Sequence, residues 1–460
     1  MKKVMFIPAT LTLAMLLFFG SALAQNGKTM TLDECINVAL KNNSQLKTTT
    51  YQLDRSGSNV KASYSTILPR VTTTFSSGRF IQGDRTVVTD VPVGFDSTRG
   101  QAIFEQTEIT QDGSSRNSHF ARISYSQTLF NFGRNWNTIN QAKASFDASS
   151  HRLATARQNV HAEVRRRYFE LLKAVNLERE YREAVERSQE QLNRTKSMYE
   201  IGSVAQVDVY RSEVTLGNDQ INLLTQKNIV QIARGNLNVA MGRDPETPID
   251  VAEVEVEFFP EDYTLEQAIE IAEENNPELK RFEDEMQSAE YGMKVAKAAY
   301  WPSIGVNVSY TRNNTDFSRV YGELDKNFNI SLGAQIDFNI FNGLSDAAEV
   351  GRQSANYSIA RENWTNTKRQ LHLDVKQAFL NLEAFKEISD INERNLRAAE
   401  EEYRLAQERY RVGAGTQLEV TEAQVSLTRA RVTLVRAKYD AMIAQAQLEA
   451  AMGTIAQQTQ

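Results

Sequence analysis

Acidic residues stand near the start of two helices, each just after a glycine turn. Glu419 and Glu422 stand three apart, which puts both carboxylates on one face of a helix. Asp208 holds a similar place in another helix, also after a glycine turn. Carboxylates so grouped attract cations and repel anions. They also complement the positive end of a helix, worth about 0.3–1 kcal/mol each. Catalysis finds no counterpart. His119, His151, His161 and His372 fall in no HExxH or other metal-ligand spacing. The sequence has no phosphate-cradling glycine loop and no nucleophile elbow. Cys35 is the one cysteine, so it can form neither an intramolecular disulfide nor a cysteine metal cluster. The chain therefore reads as a non-enzyme, without cofactor or metal.

The elements that carry these residues are long helices. Residues 134–200 run without Pro or Gly, and residues 344–410 do so except for Gly351. At 1.5 Å per residue each spans roughly 100 Å. Shorter helices at 206–241 and 416–452 come after the glycine turns. The row Leu418, Val425, Val432, Tyr439 and its copy Val207, Val214, Ile221, Leu224 recur at coiled-coil spacing. Helices this long cannot bury such rows within one globule, so other copies of the chain are expected as neighbours.

Between the helices lie strands that alternate strictly. Ile304, Val306, Val308 and Tyr310 face one way, and Ser303, Gly305, Asn307, Ser309 and Thr311 the other. From 327 to 340, Phe328, Ile330, Leu332, Ala334, Ile336, Phe338 and Ile340 oppose Asn, Ser, Gly, Gln and Asp. A period of two with one apolar and one very polar face suits a transmembrane strand of about 9–11 residues, lipid on one side and a wet lumen on the other. Residues 71–80 and 121–129 give a weaker version. Four strands cannot close a barrel by themselves, since single-chain barrels start at about eight. The open edges then require an oligomer.

The chain is also duplicated. Thr31 to Lys47 returns 233 positions later as Thr264 to Lys280, with eight of seventeen residues identical. The offset falls to 211 at Phe130-Asn131 and Phe341-Asn342 and stays there to Ala451-Met452-Gly453. The 22 extra residues of the first copy therefore fall in a loop at about 79–118, which carries β-like runs at 86–93 and 102–110. Before the first copy, Lys2 and Lys3, an apolar run and Ala22-Leu23-Ala24 form a signal-peptide pattern. The resulting division is a signal peptide at 1–24, a first repeat at 25–243 with a β-hairpin at about 70–131, and a linker at 244–263, strand-like at 251–259. A second repeat at 264–453, with a hairpin at about 303–341, precedes a tail at 454–460. Net charge is −6 overall, which speaks against a nucleic-acid partner.

This pattern resembles the TolC-like outer membrane efflux family over nearly the whole mature chain. The duplication, the proline-ended helices at Pro69 and Pro302, the two hairpins and the glycine turns carry the resemblance. It implies a mainly α fold with β. A homotrimer would join four transmembrane strands per chain into a twelve-stranded β-barrel, standing on a long antiparallel α-helical barrel. It implies an outer membrane channel with a large periplasmic part, the exit duct of a tripartite efflux system. The expected partners are a periplasmic adaptor and an inner-membrane transporter. Gly202, Ser203, Val204, Gly413, Ala414 and Gly415 would then meet the adaptor. Asp208, Tyr410, Glu419 and Glu422 would form the periplasmic constriction, with Asp208 bonded to Tyr410 when shut. The family's best-known member has arginine where this chain has Gly415, so one closing link is missing or replaced. The linker would join an equatorial belt. Rival readings are a type I protein-secretion duct and a periplasmic coiled-coil adaptor. An adaptor, however, would carry one helical hairpin rather than two, and no amphipathic strand pairs.

Overall fold

The structure, a computed structural model, describes residues 29–254, 264–322 and 324–455. The signal-peptide segment and most of the strand-like part of the linker lie outside the described residues. In chain order the elements are β1 Thr29–Met30, α1 Leu32–Asn42, α2 Ser44–Ser63, β2 Arg70–Gln82, β3 Arg85–Asp96, β4 Gln101–Gln111, β5 Ser114–Phe130, α3 Arg134–Glu200 and α4 Gln206–Ala240. Next come β6 Asp250–Val251, α5 Leu265–Asn275, α6 Pro277–Lys297, β7 Ser303–Asn314, α7 Phe317–Tyr321, β8 Phe328–Asp337, α8 Ser345–Arg411 and α9 Gln417–Met452. The chain divides into two compact units. Among the described residues, one comprises 29–46, 157–254, 264–271 and 374–455, and the other 47–156, 272–322 and 324–373.

In the first unit the repeated Thr-Leu motif makes the same cap twice. Thr31 Oγ1 accepts from Glu34 N at 3.3 Å while Thr31 N donates to Glu34 Oε2 at 3.0 Å. Thr264 and Gln267 repeat the reciprocal pair at 3.3 and 2.9 Å. Each cap satisfies two backbone N–H groups that a helix start leaves open. The core gathers Ile36, Val164, Tyr168, Leu171, Leu172, Val230, Leu237 and Met241, all nearly inaccessible. Cys35 is buried there as a free thiol, and burial raises its pKa to about 11. That suits a packing residue rather than a nucleophile. The Tyr168 hydroxyl lies 2.8 Å from the Ala252 carbonyl and 3.2 Å from that of Met30. It thereby ties together the parallel pair β1–β6, which is all the described strand of the linker.

The second unit is built on a four-stranded antiparallel sheet in the order β2-β5-β7-β8. Val71, Tyr125, Val308 and Leu332 are register partners in one row, as are Thr73, Ile123, Tyr310 and Ile330 in the next. The two faces foreseen strand by strand thus become two faces of one sheet. The ends differ from the sequence expectation. β8 stops at Asp337, so Phe338 and Ile340 lie beyond the strand. Their partner strand begins only at Ser303, after Pro302, and no ladder position remains for them. At the other end Asn327 takes φ +54° and β8 starts one residue later. The loop at 79–118 is itself largely strand. β3 and β4 form a separate two-stranded ribbon, joined to β2 and β5 through Gly83-Asp84 and Asp112-Gly113. Asp84 accepts the Gly113 N–H at 2.6 Å, and a Cβ on Gly113 would meet the Gln82 carbonyl at 2.6 Å.

Candidate functional site

Two places in the fold could act on a solute: the turns at the ends of α3 and α8, and the two-faced sheet. The turns share one geometry. After α3, Gly202 takes φ +77°, Gly202 N donates to Tyr199 O at 2.9 Å and Ser203 N to Met198 O at 2.8 Å. After α8, Gly413 takes φ +76°, Gly413 N donates to Tyr410 O at 3.1 Å and Ala414 N to Arg409 O at 2.8 Å. The left-handed residue lets the chain turn back and satisfy helix-end carbonyls, which glycine does without a Cβ penalty. Ser203 and Val204 complete the first turn, and Ala414 and Gly415 the second.

The two turns differ in how the next helix begins. Thr416 caps α9 by accepting Glu419 N at 3.2 Å, whereas Ala205 gives α4 no side-chain cap. Arg409 reaches across the second turn, donating to Ala414 O at 3.1 Å and lying 3.5 Å from the Glu419 carboxylate. Gly415 sits inside this clamp. A Cβ there would stand 3.1 Å from both Arg409 Cβ and Tyr410 N and 3.2 Å from Glu419 Oε2. The close approach of Arg409 occupies the space a larger side chain would need.

The structure places the four constriction candidates in one unit but not in one hydrogen-bond network. Asp208 pairs with Arg211 at 3.1 Å, one turn along the same helix. The Tyr410 hydroxyl donates to Met198 Sδ at 3.2 Å, not to Asp208. Burial, and then the nearby Asp208 charge, raise the tyrosine pKa. Glu419 belongs to the Arg409 clamp. Glu422 is exposed and has no ion pair among the described residues.

Sequence reasoning missed a buried polar ladder behind these turns. Ser188, Gln191 and Thr195 on α3 are all buried. Ser212 donates to Thr195 at 3.4 Å, and Gln424 donates to Ser188 at 3.0 Å. Ser188 in turn donates to Asp219, whose carboxyl is pushed up by burial. Nearby, Arg431 joins Glu183 at 2.8 Å, Glu400 at 3.5 Å and Glu180 at 3.8 Å. The signal was present: 188, 191 and 195 carry core spacing with polar residues. Such helices interlock by specific bonds as well as by apolar packing.

On the sheet, Ile304, Val306, Val308 and Tyr310 share a face with Phe328, Ile330, Leu332 and Ile336. This apolar face is open, with Leu332 79% and Ile336 70% exposed. Aromatic groups lie at both ends. Phe132 stacks on Trp301 at 4.9 Å and tilts against Phe130 at 4.9 Å, beside Trp136 and Tyr300. At the far end Tyr310 stacks on Phe328 at 5.6 Å and Phe317 meets Tyr321 at 4.5 Å. Arg312, the one charge in that stretch of β7, falls on the apolar side but is covered. It donates to Arg319 O at 2.6 Å and Lys326 O at 2.9 Å and is 1% exposed. The far face presents mostly Thr, Ser, Asn, Gly and Gln, together with Arg70, Phe80, Arg116, Phe120, Arg122 and Asp337. No described helix is long and apolar enough to cross a membrane.

One chain thus combines a sheet of one apolar and one polar face with long helices that end in glycine turns. A family model described as outer membrane efflux protein matches residues 35–243 and 268–454. Among solved structures the chain is similar to the outer membrane protein VceC from Vibrio cholerae. They are 15% identical, with 92% of this chain and 96% of that one covered and a TM-score of 0.78. It is similar to CusC at 16% identity, 93% coverage of each chain and a TM-score of 0.79. It is also similar to the CmeC outer membrane channel from Campylobacter jejuni, at 18% identity, with 92% of this chain and 85% of that one covered and a TM-score of 0.75. No match was found among curated proteins compared by sequence. The chain belongs to the outer membrane efflux protein family.

Proposed function

We propose that three copies of this chain form an outer membrane channel that serves as the exit duct of a tripartite efflux system. A periplasmic adaptor and an inner-membrane transporter would supply the cargo and the energy. The observation that carries this reading is the sheet. One face is apolar and the other polar, with Val71, Ile123, Leu332 and Ile336 of the apolar face exposed, and among the described residues the edge strands β2 and β8 have no outer partner. Lipid on one side and water on the other satisfy both faces, and β2 meeting β8 of the next copy leaves no unpaired edge. Twelve strands result. The span from Ser303 to Arg312 is about 30 Å at 3.3 Å per residue, or about 23 Å at a 40° tilt, close to the apolar band of such barrels. The aromatic groups at both ends of the sheet fit two interfacial girdles.

The open apolar row of α4 supports the same assembly, whereas Val432 and Tyr439 of the α9 row are already buried within the single chain, contrary to the sequence expectation. Val207, Val214, Ile221 and Leu224 are each more than half exposed in the single chain. Neighbouring copies would cover them. Three copies would also bring Glu419 and Glu422 around one axis. Cation block of conductance in planar bilayers is then expected to weaken in the Glu419→Ala, Glu422→Ala double variant. Glu422 should carry the larger share, since Glu419 stands 3.5 Å from Arg409 in each chain, which partly offsets its charge. Block by multivalent cations at wild-type strength would reject the acidic ring.

The glycine turns are proposed to meet the adaptor. A Cβ at Gly413 has nothing within 4 Å, so Gly413→Val adds backbone strain of about 1–2 kcal/mol without a clash. Export is expected to fall while membrane insertion, tracked by the heat-modifiable gel shift, stays normal. Undiminished export in that variant would remove the turn from the mechanism.

A further inference from the structure

We infer that Arg122 makes the membrane-spanning part of the pore selective for small anions. The inference rests on the closed-barrel reading above. Arg122 lies on the polar face of β5, in the row Thr74, Arg122, Thr311, Asn329. The adjacent rows hold Ser, Thr, Asn and Phe120. Along the whole polar face of the four-stranded sheet the charged residues are Arg70, Arg116, Arg122 and Asp337. Asp337 stands at the helix end of the sheet, where Gln335 donates to its carboxylate at 2.7 Å. The Arg122 side chain is exposed, and no carboxylate among the described residues pairs with it. Its guanidinium lies 5.0 Å from the centre of the Phe120 ring. Arg116 repeats the arrangement over Phe80 at 5.7 Å, six residues nearer the ribbon. In its own row and in the next row toward the helix end, Arg122 is the only charge, set among Thr72, Thr74, Ser124, Ser309, Thr311, Asn329 and Ser331.

Closure multiplies this charge. Twelve strands about 4.8 Å apart, tilted about 40°, enclose a backbone wall of radius about 12 Å. Three Arg122 side chains reaching about 6 Å inward stand within a Debye length, about 8 Å, of the axis. Every permeating ion passes through their overlapping fields. The acidic turns attract cations, whereas this ring favours anions in the barrel.

The test is the reversal potential of the full-length protein in planar bilayers under a KCl gradient at low ionic strength. Arg122→Gln is expected to raise the K⁺:Cl⁻ permeability ratio about three- to fivefold, and Arg122→Lys to leave it near wild type. Thr311→Lys, in the same row, should shift the ratio the opposite way. It reports on the ring even should the glutamine variant fail to assemble. A conducting Arg122→Gln channel with wild-type selectivity, or a Thr311→Lys channel with no shift, overturns the inference and leaves the channel reading standing. Wild-type protein that inserts but never conducts overturns the channel reading itself.

Discussion

Replacing Leu332 with arginine is expected to abolish the membrane-inserted, heat-modifiable form of this protein. Leu332 sits mid-strand on the apolar face, opposite Val308, and is 79% exposed in the single chain. In the proposed barrel it faces the centre of the bilayer, where an arginine costs about 2–4 kcal/mol. Three copies carry that cost at once, and the sum rivals the whole stability of an ordinary domain. Ser331→Arg, one residue away on the polar face, should insert normally, because its side chain enters water. Outer-membrane fractionation of the two variants makes the comparison. Equal insertion of both would end the assignment of faces, and with it the barrel.

The second large effect is expected at Gly242, at the end of α4. Its φ is +72°, and a Cβ there would come within 2.8 Å of the Asn42 backbone, at the end of α1. Asn43 holds the same junction by donating to Ala240 O at 3.2 Å. Gly242→Ala therefore combines left-handed strain, about 1–2 kcal/mol, with a backbone clash that only a shift of α1 can relieve. A total of about 3 kcal/mol is reasonable for two such defects. Gly202→Ala has the same φ problem but open space around it, and should cost only about 1 kcal/mol. Thermal unfolding of the detergent-purified variants separates the two. Equal losses at both positions would show that strain alone, without the contact to Asn42, sets the requirement for glycine.

Both predictions draw on information of different origin. That residues 134–200 form one helix comes from the absence of any helix breaker between Gly133 and Gly202, and the structure gives Arg134–Glu200. The alternation on β7 and β8 was equally legible, since a period of two assigns every side chain to a face before any partner is known. The glycine turns could be read because Gly202 and Gly413 come directly after long helical runs, where a left-handed residue ends a helix. The Thr-Leu repeat at Thr31 and Thr264 was legible as a repeat, and the structure makes each copy a helix cap.

The features that required the folded chain were all set by residues far apart in sequence. Strand order β2-β5-β7-β8, the loss of Phe338 and Ile340 from the ladder and the extension of the 79–118 loop into a paired ribbon all depend on where a partner strand begins and ends. The Arg409 clamp around Gly415 and the ladder from Ser188 to Asp219 and Gln424 depend on which helix faces meet. Arg122 shows the division most simply. Its sequence neighbours announce a polar face. Only the register, by setting Thr74, Thr311 and Asn329 beside it, shows that its row holds no acid. Local conformation arises from local sterics and hydrogen bonds that a short stretch already contains. Pairing and charge balance are properties of distant residues brought together, and the tertiary structure alone makes those introductions.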